Sequence, residues 1–531
     1  MKKKLFRLIA LAVTLCLLVS GCSISDLFGP AGTSFEDMVY SRPNLTELTA
    51  CADRCIELAE DGSDFQGLWS EITNFFNYYS SYSTQYLLAY VHYCQDLRDS
   101  YWVEEYNYCE DHTAQVDSAR DRLLHALAKS PLRDQLEGED YFGEGYFDDF
   151  DGESIWTEEF EALNEKESEL IGRYYEIYQQ STEAAAYSQE YYDTYGLQME
   201  ELFVELVVLR QQLAQEAGYD SYPEYAYETL YYRDYSVSDA SELCWQISLE
   251  LAPLYLELAK SGFWDAGVYE TSEQKTFQYV RTTATNMGGQ IEDAFQLMSH
   301  HQLYDISYSE YKLNNAFEVY LYDYAEPYIF LSPSGTELDH MSFVHEFGHF
   351  CNDYVSFGSV AGIDTGEVFS QGMEYLSLFY GNPSADLAQK QLADGLCTYV
   401  EQAAYSYFEQ QVYGLALEEI TVDAVRSAFE DACELYGLAY WQMDTRSYVD
   451  VSHFFTQPLY VISYVVSNDA AFQLYQLEQQ QSGAGLAIYN ATLGTTQEEF
   501  LSYLEEAGLD SPFLDGRIQQ VKETFQKTLL P

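Results

Sequence analysis

Basic residues are scarce in this sequence. Its 531 residues include 25 Lys and Arg against 87 Asp and Glu, which gives a formal net charge of -62. A surface with such an excess of negative charge repels phosphate backbones. We therefore expect no nucleic-acid partner.

Long apolar runs are absent after residue 22, so no later segment reaches the roughly 18 uncharged apolar residues that a membrane-spanning helix needs. Before that point, a basic start from Lys2 to Arg7 precedes an apolar stretch from Leu8 to Val19, which is typical of a signal peptide. The run Leu18-Val19-Ser20-Gly21-Cys22 resembles a bacterial lipobox, in which the cysteine is acylated. We predict a signal peptide over residues 1–22 and an extracytoplasmic protein attached to a bacterial membrane only through lipid on Cys22. The alternative is an ordinary secretory signal in which this cysteine occurs by chance.

No C-x-x-C pair occurs among the ten cysteines. The four that stand singly in apolar helical patterns fit buried packing better than zinc ligation: Cys244, Cys351, Cys397 and Cys433. Cys51 and Cys55 lie one helical turn apart, and Cys94 and Cys109 follow on the next helical segments. For these four, disulfides and simple burial remain open alternatives.

Internal repeats and a regular alternation of strands and helices are also missing, so a doubly wound sheet is not predicted. Apolar residues instead recur at spacings of three and four, as in Leu163–Gln180 and Leu197–Ala214, which predicts a mainly α fold. Strand-like segments at Ala316–Asp323 and Tyr328–Leu331 predict a small sheet, followed by a helix over His340–Val355. We predict an N-terminal helical domain over residues 23–220 and a C-terminal domain, which carries this sheet and helix, over residues 221–531.

The segment His345-Glu346-Phe347-Gly348-His349 forms the pattern H-E-x-x-H. On a helix, His345 and His349 project from one face one turn apart, so both imidazoles can reach one tetrahedral metal ion. Glu346 is offset by about 100 degrees and can contact a water held by the metal without being a ligand. The apolar neighbours Phe343, Val344 and Phe350 argue against a solvated helix. The pattern predicts one zinc ion per chain, with Glu346 as general base.

A third protein ligand is still needed, and downstream carboxylates are the candidates. Glu367 and Glu374 lie seven residues apart, two turns along one face of the next predicted helix. One can bind the metal while the other holds a ligand imidazole through its remaining N–H. Spacing alone does not rank them. Asp364, at the start of the same segment, is a further candidate for such a supporting contact.

These features resemble the M3 oligopeptidases, the gluzincin family of thimet oligopeptidase and oligoendopeptidase F. The resemblance is carried by the strand Pro327–Leu331, the segment Phe343–His349, the segment Glu367–Glu374 and the N-terminal run Phe35–Pro43. It implies a multi-helical, two-lobed zincin-like fold, with a small sheet next to the active-site helix and a deep substrate channel. It also implies Glu367 as the third zinc ligand. The loop between His349 and Glu367 is several residues shorter than in the best-known members, which keeps Glu374 as the fallback ligand.

The segment Ser452–Tyr464 is similar to the substrate-binding segment near the C-terminus of that family. The resemblance implies that His453, Tyr460 and Tyr464 face the zinc. A phenol O–H or imidazole N–H in that place can stabilise the oxyanion of a tetrahedral intermediate, and Tyr464 is our first choice for this role. The chain has 51 tyrosines, so ordinary packing is the alternative for each of them.

The resulting hypothesis is a zinc metalloendopeptidase that hydrolyses internal bonds of short unfolded peptides, acting as a monomer. Two alternatives stay open. A lipid-anchored peptide-binding protein would need neither metal nor base, and the H-E-x-x-H pattern argues against it. A catalytically inactive zinc-binding homologue would keep the metal ligands, but the presence of Glu346 argues against that reading.

Overall fold

The structure is a computed structural model that describes residues 32–530 except 139–140, 153, 182–187, 266, 268 and 360. The predicted signal peptide and Cys22 lie outside the described residues. Within them, helices dominate and one small sheet is present, which confirms the predicted mainly α fold. Among the described residues, no helix combines the length and the apolar character needed to cross a membrane.

The α-helices before the sheet are α1 Leu45–Asp61, α2 Phe65–Gln95, α3 Ser100–Glu110, α4 Thr113–Lys129, α5 Arg133–Leu136, α6 Glu158–Ser181, α7 Gln189–Tyr191, α8 Leu197–Glu216, α9 Tyr222–Tyr225, α10 Val237–Glu250, α11 Ala252–Lys260, α12 Glu273–Met287 and α13 Gly289–His301. Those that follow are α14 Asp339–Ser356, α15 Ile363–Tyr380, α16 Ala385–Tyr413, α17 Val422–Leu435, α18 Ser452–Thr456, α19 Ile462–Gln480, α20 Ala484–Thr492, α21 Phe500–Ala507 and α22 Arg517–Leu529. The periodic segments at Leu163–Gln180 and Leu197–Ala214 fall within α6 and α8, as predicted.

The chain divides into two compact units that do not follow chain order. The first takes the residues up to Lys166, Gly289–Ser332 and Phe350–Val360. The second takes Glu167–Gly288, Pro333–His349 and Ala361–Pro531. This grouping differs from the predicted division at residue 220, because segments distant in sequence pack into the same unit.

The first unit has a helical core and the small sheet. Helices α1, α2 and α4 bury a shared apolar cluster that includes Leu68, Phe75 and Leu123. Cys51 and Cys55 lie in the same cluster, and all eight described cysteines are free thiols, so these residues serve packing. The described chain therefore contains no disulfide.

The sheet contains β1 Tyr304–Asp305, β2 Ala316–Leu321 and β3 Glu326–Leu331, in the order β1-β3-β2. Strand β1 runs parallel to β3, and β2 pairs antiparallel with β3 from Ala316 opposite Leu331 to Leu321 opposite Glu326. Every residue of β3 is buried, which accounts for the apolar and aromatic run that follows Glu326. The two longer strands were predicted within a few residues, whereas β1 was missed because two residues carry no periodicity.

In the second unit, the turn before α14 is fixed by the first residue of that helix. The carboxylate of Asp339 accepts hydrogen bonds from the backbone N–H groups of Ser334 and Gly335, at 2.8 and 2.9 Å. A negative charge at the first turn of a helix is also favourable for the helix dipole. These contacts determine where the helix that carries His345 and His349 begins.

Helices α14 and α15 approach each other very closely at Gly348. A Cβ atom added to Gly348 would lie 2.4 Å from the carbonyl oxygen of Phe369 and 2.6 Å from the Cα atom of Ser370. Both distances are far below ordinary van der Waals contact, so the backbone of α15 occupies the space that any side chain at position 348 would need. This contact sets the distance between the histidines on α14 and the carboxylates on α15.

Helix α19 packs along α15 on another side, and polar contacts fix their register. The Oγ of Ser467 donates to Oε1 of Gln371 at 2.9 Å, and Nε2 of Gln371 donates to the carbonyl oxygen of Tyr464 at 3.3 Å. Tyr375 donates its hydroxyl to Oδ1 of Asn468 at 2.9 Å. The start of α19, which carries Tyr464, is therefore held against the helix that carries Glu367.

We predict that Gly348→Ala destabilises the protein by about 1–3 kcal/mol, because the added methyl group forces α14 and α15 apart. The matched control is Gly366→Ala on α15, where an added Cβ meets no atom within 4 Å. That change should be neutral or stabilising by up to about 1 kcal/mol, since Ala favours the helix. Thermal unfolding of both variants checks the difference, and equal stability of the two would contradict the packing argument.

Candidate metal centre

His345 and His349 occupy one face of α14, as the motif predicts. Their ring centroids are 5.2 Å apart and the ring planes are inclined by 76°. On the other side of the helix, Phe343, Phe347 and Phe350 are completely buried. The helix therefore packs through its apolar side and presents both imidazoles, which are about one-fifth exposed, on the opposite side.

Glu367 completes the group. Its Oε2 atom lies 3.4 Å from Nε2 of His345 and 3.7 Å from Nε2 of His349. One donor atom from each of the three residues lies within 4.8 Å of the other two. Two imidazole nitrogens and one carboxylate oxygen are a ligand set that suits zinc. The described residues thus bring together the predicted set His345, His349 and Glu367.

Glu374 has a different position in the site. Its Oε1 atom lies 2.6 Å from Nδ1 of His345, so the ring donates its Nδ1–H there and keeps Nε2 as the nitrogen that faces Glu367. The other oxygen of Glu374 accepts a hydrogen bond from Nε2 of Gln391 on α16. A carboxylate that orients an imidazole in this way is a common support for a metal ligand.

Both oxygens of Glu367 have further partners. The hydroxyl of Tyr460 donates to Oε1 at 2.5 Å, and the hydroxyl of Ser370 donates to Oε2 at 2.9 Å. Because Oε1 is engaged by the phenol, Oε2 is the atom left to face the histidines. These two hydrogen bonds also compensate for the burial of the carboxylate, which is only 5% exposed.

The electrostatics of the group follow from burial and from the close approach of opposite charges. Burial alone would raise the pKa of Glu367, but His349, His345 and the Tyr460 hydroxyl lower it to about 2. Burial lowers the pKa of His349 to about 4. For His345, burial is outweighed by the hydrogen bonds to Glu367 and Glu374, which raise the pKa well above its ordinary value. Glu367 therefore stays ionised at neutral pH.

Glu346 is buried next to this group, and its side chain forms no part of the ligand set. Burial raises its pKa to about 7; His345 opposes this increase, and the negative charges of Glu367 and Glu374 add to it. A carboxyl group whose pKa lies near neutrality can both accept and return a proton.

A cluster of three rings lies where the chain enters α19. It contains His453 and Tyr460, which precede the helix, and Tyr464, which lies in its first turn. The Tyr460 and Tyr464 centroids are 5.2 Å apart, and the Tyr464 hydroxyl lies 3.3 Å from Nε2 of His453. Burial raises the pKa of both phenols well above the ordinary value, so both remain protonated and able to donate. Tyr460 contacts Glu367 directly, so the structure brings this cluster to the histidines and the carboxylate.

Asp364 lies elsewhere than expected. Its Oδ2 atom lies 3.5 Å from Nε of Arg233, and no described contact joins it to either imidazole. It lies one turn before Glu367 on α15, and its carboxylate pairs with Arg233 instead of supporting an imidazole.

Three residues of the site were not found from the sequence. Gln391 comes from α16, 17 residues beyond Glu374, and nothing in the local pattern distinguishes it from other glutamines. Arg233 is even further along the chain from the residue that it contacts on α15, Asp364. Gly348 was visible inside the motif, and a glycine in the interior of a helix is a signal of close backbone approach.

Solved structures share this fold over almost their whole length. PZ peptidase A, determined with an inhibitor, superposes with a TM-score of 0.82 at 19% identity and covers 93% of this chain and 99% of its own. A protein described as oligoendopeptidase F gives a TM-score of 0.83 at 20% identity, over 94% and 98%. Another, from Bacillus anthracis str. Ames, gives 0.78 at 19% identity, over 94% and 99%. At these identities the likeness shows a common fold.

The sequence itself matches the family described as Peptidase M3 N-terminal domain over residues 35–153. The predicted resemblance to the M3 peptidases is confirmed. No curated protein gives a significant sequence match. The match to the Peptidase M3 N-terminal domain, in a chain with this fold, supports a metallopeptidase.

We predict that the two acids of this M3-like site differ in their effect on metal affinity. Glu367→Gln removes a charged donor and should weaken zinc binding more than Glu374→Gln, which removes only the partner of His345. The expected loss for Glu374→Gln is about 10- to 100-fold. Competition titration against a zinc-binding dye measures both variants, and a larger loss for Glu374→Gln would reverse the two roles.

Proposed function

We propose that this protein is a zinc-dependent oligoendopeptidase that hydrolyses internal bonds of short unfolded peptides. The observation that carries the proposal is the convergence of His345, His349 and Glu367, with the buried acid Glu346 beside them and three ring donors opposite. The M3-like fold supports the same reading. The donor set fits one zinc ion per chain, because Glu374 holds Nδ1 of His345 and leaves its Nε2 free to coordinate.

Bound zinc would supply a Lewis acid that polarises the peptide carbonyl and makes water more acidic. The protein supplies the remaining steps. Glu346 accepts a proton from the attacking water and delivers it to the departing amine nitrogen as the C–N bond breaks. Its burial keeps the carboxyl group away from bulk water, which favours transfer of that one proton between the two reacting groups.

The rings opposite the motif stabilise the negative charge that develops on the carbonyl oxygen. Tyr464 is the proposed donor, with its hydroxyl oriented by Nε2 of His453 at 3.3 Å. Tyr460 is committed to Oε1 of Glu367 at 2.5 Å, so its first task is to orient the ligand carboxylate. A phenol whose pKa is raised by burial remains a neutral donor throughout the cycle.

Two other functions would use parts of the same arrangement. A peptide-binding protein without hydrolytic activity would have no use for a buried acid beside three metal donors. An inactive zinc-binding homologue would retain the ligands, but Glu346 and the phenol donors are all present. Hydrolysis uses every one of these groups, so it is the function that the geometry supports best.

We predict that the purified protein contains about one zinc per chain and cleaves short peptides, and that Glu346→Gln keeps the zinc but loses activity by about 10²- to 10⁴-fold, because the general base is gone. Substrates blocked at both termini distinguish internal cleavage from removal of terminal residues. Elemental analysis and mass spectrometry of the products are the measurements. The control is Glu430→Gln at an exposed position on α17, which should retain full activity.

Full turnover by the Glu346→Gln variant would remove the assigned mechanism. Cleavage restricted to peptides with a free C-terminus would replace the endopeptidase with a carboxypeptidase. Zinc binding without any peptide hydrolysis by the unaltered protein would favour the inactive homologue.

We also propose that the protein is exported and tethered by lipid on Cys22. The basic and apolar pattern of residues 1–19 and the lipobox-like run support this. The net charge of -62 supports the absence of a nucleic-acid partner. His345, His349 and Glu367 need no second copy to complete the donor set, so we propose a monomer.

We predict that Cys22→Ser moves the protein from the membrane fraction to the soluble extracytoplasmic fraction and abolishes labelling by a fatty-acid analogue, because the acylated thiol is missing. Cys16→Ser in the same leader is the matched control and should remain membrane-bound. Fractionation and labelling of cells that express each form check this. Unchanged labelling of Cys22→Ser would place the lipid on another residue, and absence of labelling in the unaltered protein would leave only an ordinary secretory signal.

A further inference from the structure

A single buried guanidinium contacts the neighbours of both tyrosines. Arg233 donates from Nη1 to the carbonyl oxygen of Leu459 at 3.0 Å and from Nη2 to Oγ of Ser463 at 2.8 Å. Leu459 directly precedes Tyr460, and Ser463 directly precedes Tyr464. The side chain of Arg233 is fully shielded from solvent. One planar group therefore holds the backbone at Leu459 and the side chain of Ser463, each adjacent in sequence to a phenol of the site.

The same guanidinium reaches the helix that carries Glu367. Nε of Arg233 lies 3.5 Å from Oδ2 of Asp364, whose side chain is 4% exposed. Asp364 and Glu367 are three residues apart, one turn along α15. Arg233 thus bridges the helix that supplies the carboxylate ligand and the segment that supplies the ring donors.

Leu459 is held in an unfavourable backbone conformation. Its φ is +63°, in the left-handed region that side-chain-bearing residues other than Asn and Asp rarely adopt. Its N–H donates to Oε1 of the buried Glu409 at 2.6 Å, and its carbonyl accepts from Arg233. Such a conformation persists only where the surroundings determine it. Both polar groups of this residue are bound by the buried side chains of Glu409 and Arg233, so the turn depends on them.

The position of Arg233 is itself tightly constrained. Its guanidinium carbon lies 4.3 Å from the ring centroid of Tyr227 and 4.5 Å from that of Tyr231. The hydroxyl of Tyr231 donates to the carbonyl oxygen of Pro458 at 2.7 Å, one residue before Leu459. The rings hold the guanidinium in place, and one of them also holds the same turn. Lysine has neither the planar fork nor this stacking geometry.

We propose that Arg233 is a positioning residue for peptide hydrolysis, which places the phenols of Tyr460 and Tyr464 relative to the ligand Glu367. This role rests on the proposed peptidase function. Arg233 touches neither the metal donors nor the phenol hydroxyls. It acts through the backbone of Leu459 and the side chain of Ser463, so its loss should displace the donors while the metal remains bound.

The test is Arg233→Lys in the full-length protein, loaded with zinc and assayed on a doubly blocked peptide. We expect kcat to fall about 10- to 100-fold, because a displacement of about 1 Å in a donor is enough for such a loss. KM and zinc content should stay within about twofold. The matched control is Arg517→Lys. Arg517 is a similarly buried residue of the same unit, and its Nε lies 2.9 Å from the carboxylate of Asp469. This ion pair is distant from the turn at Leu459. Arg517→Lys should lose comparable thermal stability while retaining kcat.

Two further measurements separate positioning from general destabilisation. In a double-mutant cycle, Arg233→Lys should cost little extra once Tyr464→Phe has removed the donor that it positions. In the metal-free protein, hydrogen exchange of residues 453–464 should rise in Arg233→Lys and stay unchanged in Arg517→Lys. If Arg233→Lys does not fold, Ser463→Ala removes one of the two hydrogen bonds and should reduce kcat in the same direction.

A wild-type kcat for both Arg233→Lys and Ser463→Ala would overturn the proposal, as would fully additive losses in the double-mutant cycle. An equal loss of kcat in the Arg517→Lys control would also overturn it, because the effect would then reflect stability alone. Absence of peptide cleavage by the unaltered, zinc-loaded protein is a separate result: it would refute the peptidase function, and the positioning role with it.

Discussion

The site depends on the close approach of α14 and α15 at Gly348. Only at this separation does one carboxylate on α15 face two imidazoles on α14, with Oε2 of Glu367 within 3.7 Å of both Nε2 atoms. Burying an ionised carboxylate is costly unless hydrogen bonds and opposite charges compensate. Tyr460 and Ser370 supply the hydrogen bonds. The protonated imidazole of His345 supplies the opposing charge or, with a metal bound, the ion does so.

Two of the few basic residues stabilise the second unit from within. Arg210 and Arg233 have completely shielded side chains, and both donate to main-chain carbonyl oxygens of the segment that carries the ring donors. Arg210 reaches Phe454, next to His453, while its Nε donates to Glu167 at 2.6 Å. In a chain with 25 Lys and Arg, two of them hold one short segment. The chain is strongly negative overall, and two of its few cations are buried beside this segment.

The sequence predicted those features that depend on local pattern. Helical periodicity located α6, α8 and α14 closely, and the H-E-x-x-H spacing identified both histidines and Glu346. It left Glu367 and Glu374 unranked, because two acids seven residues apart share a face and only the position of α14 decides which one meets both Nε2 atoms. Asp364, Gln391 and Arg233 were misread or missed because their partners come from segments 17 to 230 residues away, as in the contact between Arg233 and Ser463.

The glycine at the helix crossing also changes how such sequences should be compared. In the signature H-E-x-x-H, position 348 is one of the two wildcards, yet here the carbonyl oxygen of Phe369 lies where a methyl group would be. A homologue with alanine or valine in that place would still satisfy a text search for the signature. That side chain would push the second helix away and hold the imidazoles and the carboxylate too far apart to act together, so a genome survey based on the signature alone would count it wrongly as competent.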